Sequence, residues 1–178
     1  MTAELRLDTS EVLALSRAIH RLPEQIKVKA MARAMTRMRS MARTRIVNRS
    51  AEHTALPRNM VSKLTRAYYN AGGNSIEVVL KSGWIPLFRL GARQTRKGVS
   101  VRGRGSYEQA FLAGFKSGHR GVMRRVGDKR LPIRELFGAN PAHAVTNNPD
   151  VYLEVMAELI AEHLAPRFLH EVGRLLPR

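Results

Sequence analysis

Cysteine is absent from all 178 residues. No disulfide and no thiolate metal site can form, which fits folding in a reducing compartment. Aromatic residues are scarce at 6%, while methionine occurs eight times, so parts of the core are expected to be loosely specified. No stretch approaches the roughly 20 apolar residues of a membrane span, and no membrane partner is expected. The opening run MTAELRLDTSE carries acids and no apolar stretch, so no secretory signal is expected either.

Acid is scarce in the middle of the chain. The net charge is +17, from 31 basic and 14 acidic residues. Residues 1–22 are balanced, residues 23–69 hold eleven basic against two acidic side chains, and residues 70–130 hold thirteen against three. Residues 131–178 turn slightly acidic, with six acids against four bases. Such a central field attracts nucleic acid, an anionic membrane or an acidic protein, and charge alone does not choose among them.

What is present predicts one α+β domain over residues 1–178: a small antiparallel sheet packed by a long helix in the N-terminal half and a C-terminal helix. ELRLD at 4–8 alternates like a short strand, and Asp8 with Glu11 forms a capping-box pattern for a helix over about 9–22. A second helix is expected over 24–50. Its apolar stripe is Met31, Ala34, Met35, Met38, Met41 and Ala42, with Lys29, Arg33, Arg37 and Arg43 opposite. Arg45 and Arg49 project on the stripe's side, where an unpaired cation would be costly. A short helix follows Pro57, and 66–69 with 75–81 reads as a hairpin turning at Ala71–Asn74. WIPLFRL at 84–90 is expected to add a strand with Pro86 at its edge; VSVR at 99–102 and GVMRRV at 121–126 are weaker strand candidates. The C-terminal helix begins with Asn148 as cap and Pro149 in the first turn, buries Tyr152, Val155, Met156, Leu159 and Ile160, and should bend or restart at Pro166.

The run GARQTRKGVSVRGRG, 91–105, holds four glycines, five cations (Arg93, Arg96, Lys97, Arg102, Arg104) and no acid. It fails as a phosphate-binding loop, because no Gly-Lys-Ser/Thr follows at the required spacing and the third glycine of a dinucleotide fingerprint is missing. Glycine and unrelieved positive charge point instead to an arm or long hairpin, about 91–107, that orders against a partner. Arg120, Arg124 and Arg125 extend this set as partner-facing or DNA-facing candidates. The six histidines lack metal-ligand spacing, so no metal and no cofactor are expected. No nucleophile, base and acid can be placed together, so no enzyme is expected. Glu154, Glu158 and Glu162 repeat every four residues and match an arginine-bearing helix, with Arg45 and Arg49 the expected salt-bridge partners.

From Ile85 onward the order of motifs resembles the minor tail protein Z, or tail completion, family of long-tailed phages. The resemblance rests on Ile85-Pro86, Gly91-Ala92-Arg93-Gln94, Lys97-Gly98-Val99, Phe111, Ser117-Gly118-His119-Arg120-Gly121 and Leu131-Pro132-Ile133-Arg134-Glu135-Leu136. It spans about residues 24–165 and is densest over 85–143; ALPRNMVSKL matches the family's Gly-Ile-Pro helix only loosely, since Ala55-Leu56-Pro57 replaces that tripeptide. The resemblance implies a structural virion protein, assembled in the host cytoplasm, that forms a ring at the head-proximal end of the tail. Six-fold tail symmetry makes a hexamer the natural expectation. Its implied partners are further copies of itself, tail terminator or tail tube proteins, neck or connector proteins, and the phage DNA end in the channel. The alternative is a stand-alone nucleic-acid-binding protein.

Overall fold

A computed structural model describes Arg17 and residues 19–176. The expected strand at 4–8 and most of the helix at 9–22, with its Asp8–Glu11 capping box, lie outside the described residues. Among the described residues are two long helices, shorter helical segments and three small antiparallel sheets, so the α+β reading holds while its single sheet becomes three. Helix α1 (Glu24–Thr54) is followed by the short α2 (Arg58–Leu64), which starts after Pro57 as expected. Strands β1 (Thr65–Asn70) and β2 (Ser75–Leu80) form the expected hairpin, with Ala67 opposite Val78.

The chain then builds two three-stranded meanders. β3 (Ala92–Thr95), β4 (Gly98–Val101) and β5 (Gly105–Glu108) form one; β6 (Ala110–Gly114), β7 (Arg120–Arg125) and β8 (Ile133–Glu135) form the other. Helix α3 (Pro141–Asn147) and helix α4 (Pro149–Leu175) close the fold.

α1 is the spine. Met38 and Ala42 pack on Leu159 of α4, and Ala30 and Ala34 pack on Phe168 and Val172. Further along, Val47 and Ala51 join the main core with Val61, Leu87, Val99, Val101, Ala110 and Val122. At 100° per residue, Val47 lies 180° from Met38, and Ala51 lies 180° from Ala42. α1 is therefore held between α4 on one side and the meanders on the other.

Several local expectations are corrected. WIPLFRL does not make a strand: Leu87–Leu90 is a turn of 3-10 helix that buries Leu87 and Leu90, and Pro86 makes one isolated bridge to Phe137. Arg43 does not face solvent opposite the stripe. Its Nε donates to the Thr65 carbonyl at 3.0 Å and its Nη2 to the Ser62 carbonyl at 2.7 Å, satisfying the end of α2. Asn148 does not cap α4 with its side chain, which turns back to donate to the Ala144 carbonyl at 3.1 Å. α4 continues through Pro166 as one element, and Ile160 is 49% exposed rather than buried.

Candidate interaction surface

The glycine-rich segment is built into the body. Val99 and Val101 are fully buried in the main core, so β4 contributes its inner face and leaves Ser100 and its register partners Arg93 and Ser106 outward. A Cβ at Gly98 would stand 2.1 Å from the Tyr107 carbonyl oxygen, so only glycine lets β4 and β5 approach this closely. Gln94 pins the meander to its neighbour: Nε2 donates to the Gly98 carbonyl at 2.8 Å, and Oε1 accepts from the Leu112 amide of β6 at 2.8 Å. The expectation that 91–105 orders only against a partner is corrected. Contacts within the chain satisfy it, because the valine alternation buries one side of the strand whatever the glycines would do alone.

Three open clefts place most of the candidate cations. Arg93 and Arg102 line one of about 450 Å³ with Gly91 and Ser100. Arg96 and Lys97 line a second of about 450 Å³ that shares Ser100 with the first and also includes Glu108. Arg124 and Arg125 line a third of about 630 Å³ that shares Glu108 with the second and adds Asp128. The shared residues make this one continuous basic surface. Arg125 sits over the Phe111 ring at 5.1 Å, and Arg120 over Phe88 at 5.6 Å, which orients both guanidinium groups.

The structure separates Arg104 from this set. It is half-buried, and its Nη2 donates to the carbonyl of Thr54, the last residue of α1. A cation there complements the negative end of the helix, so Arg104 serves the fold rather than an outside partner.

The glutamate row divides as well. Arg45 Nη2 meets Glu162 Oε2 at 2.6 Å and lies 3.1 Å from His163 Nε2. The hydrogen bond and charge of Arg45 hold the Glu162 carboxyl below its usual value. Arg49, Glu154 and Glu158 are exposed and make no ion pair among the described residues. Burial pushes the Tyr152 hydroxyl up, and the nearby Ser50 hydroxyl and Arg49 charge oppose the shift. Ser50 Oγ itself is buried without a hydrogen bond of good geometry. Leu153, 65% exposed, and Ile160 stand on one outer side of α4 as an exposed apolar strip, while Glu154 and Glu158 stand further round the helix, about 100° and 140° from Leu153.

Sequence reasoning missed Asn140, a buried side chain that ties the connector after β2 to α3. Its Oδ1 accepts from the Gly83 and Ala142 amides at 3.2 and 3.1 Å, and its Nδ2 donates to Ser82 Oγ at 2.8 Å. The available signal was Asn followed by Pro141, an N-cap pattern at the start of α3. No cluster of three or more His, Asp or Glu placed to hold a metal occurs among the described residues. No family model, no curated protein and no solved structure matches this chain.

Proposed function

We propose that this chain is a tail completion subunit of a long-tailed phage: a non-enzymatic structural protein that joins other copies of itself in a ring and links the tail to the neck around the DNA channel. The observation that carries the reading is the pairing of two unlike surfaces on opposite sides of α1. One is the continuous basic face of the meanders; the other is the exposed part of α4, where Leu153 and Ile160 form an apolar strip and Glu154 and Glu158 stand further round the same helix. Unlike surfaces of opposite charge on one subunit favour head-to-tail contact, the arrangement that closes into rings. The resemblance of residues 85–143 to the tail completion family supports the same reading.

A stand-alone nucleic-acid-binding protein is the second reading, favoured by the +17 net charge. Replacing Arg93, Arg96, Lys97 and Arg102 by glutamine separates the function from the fold, since all four side chains are exposed. The variant is expected to remain folded while particles that depend on it fail to join heads to tails. Infectious particles at wild-type yield would exclude an assembly role for this face.

A further inference from the structure

A second basic surface lies apart from the meanders, in the groove between α1 and the α2–β1 segment. The groove encloses about 590 Å³, and Arg39, Arg43, Ser62, Lys63, Arg66 and Tyr68 are among its lining residues. None of the residues lining it is acidic, and none of its four cations forms an ion pair among the described residues. Glu77 is the cross-strand partner of Tyr68, so it shares that face of the hairpin, yet it does not line the groove.

Four cations held together with no acid paired to them repel one another, and the fold holds one of them firmly in place. Arg43 is fixed by its bonds to the Thr65 and Ser62 carbonyls and by a 2.9 Å contact to Ser62 Oγ, all through Nε and Nη2. Its Nη1 has no hydrogen-bond partner among the described residues. Arg39 stands one helical turn before Arg43, while Lys63 and Arg66 reach the groove from α2 and β1. A second cleft, lined by Arg37, Ser40, Met41, Thr44 and Arg45, shares Ser40 with the groove and continues the basic track along α1.

We infer that this groove binds the phosphodiester backbone of a nucleic acid. Arginine and lysine beside serine, threonine and tyrosine hydroxyls are the side chains that contact backbone phosphates. An acidic protein would need apolar anchors at the centre of its contact, and the groove offers only Ala67 and the half-exposed ring of Tyr68. This site lies outside the proposed assembly surface and does not depend on the ring.

The test is anisotropy of a labelled short duplex and of the same single strand, titrated with the full chain across a range of salt. The groove variant is R39Q/K63Q/R66Q; Arg43 is kept because it ties α1 to α2. The control is R93Q/R96Q/K97Q, which removes equal charge from the meander face. Loss of three phosphate contacts lowers the salt slope by about 2.7 for a duplex and about 2.1 for a single strand. Between about 50 and 200 mM salt, wild type is then expected to lose roughly 40-fold more duplex affinity than the groove variant. The single substitutions K63Q and R66Q, at exposed positions, each remove about 0.9 from the duplex slope and serve if the triple variant does not fold. Equal slopes and affinities for the groove variant and the control would overturn the inference, leaving only a general field. Competition by polyglutamate as strong as by nucleic acid of equal charge would overturn it in favour of an acidic protein.

Discussion

Single side chains decide more of this fold than their exposure indicates. The Arg45–Glu162 contact at 2.6 Å lies at the surface, with Glu162 54% exposed, so its effect is read best through pH. The folded carboxyl ionises below its ordinary value of 4.5, so the pair stabilises the protein above that value and is lost as the pH falls through the folded one. Wild type is therefore expected to be more stable than E162Q at neutral pH, and the two to converge in thermal melts as the pH falls through the lowered folded value. A constant difference down to the acid limit would show that glutamine disturbs packing and not charge. Asn140 is a stronger case, being buried and bonded to Gly83, Ala142 and Ser82. N140A leaves two half-buried amides unmatched and is expected to cost about 1 kcal/mol or somewhat more in urea unfolding. The side of α1 carrying Arg45 was legible from helical angle alone. The cap that Asn140 places on Ala142 was legible as an Asn-Pro pattern, but its ties to Gly83 and Ser82 were not, because those partners are 57 and 58 residues away in the chain.

At the scale of elements, periodicity predicted the long helices and the first hairpin, and missed how α1 is used. Its apolar stripe runs along one side through Ala42 and then passes to the opposite side at Val47 and Ala51, so a single stripe describes only half of the helix. The meanders were harder to see because β3, β5 and β6 are four or five residues long and joined by short turns. Glycine composition pointed to flexibility at 91–105, but the deciding fact is a close approach that only the folded chain contains. G98A places a methyl against the Tyr107 carbonyl and is expected to destabilise by at least the ~1–3 kcal/mol of an overpacked core, with protease cleavage appearing first between Ala92 and Glu108. Pro166 gives a prediction of the opposite sign. It sits exposed inside α4 and withholds one helical hydrogen bond, so P166A should raise stability by roughly 1–2 kcal/mol once the gain in unfolded-chain entropy is subtracted. An unchanged melting temperature would mean that α4 is already relaxed around the proline.

For the whole molecule, the charge map of the sequence survives folding but divides into separate surfaces. The basic middle becomes a meander face and a groove along α1, while the slightly acidic C-terminal segment supplies the outer side of α4. That division was illegible in the sequence because cations close in the chain, such as Arg102 and Arg104, face different partners once folded. Self-association through unlike faces is the central claim, and light scattering after size exclusion on nuclease-treated protein measures it most directly. A discrete species at a whole-number multiple of the monomer mass is expected without nucleic acid, six-fold if the ring matches tail symmetry, and it should fall to monomer when Leu153 and Ile160 are replaced by glutamate. A monomer at every concentration, growing only when duplex DNA is added, would contradict the account.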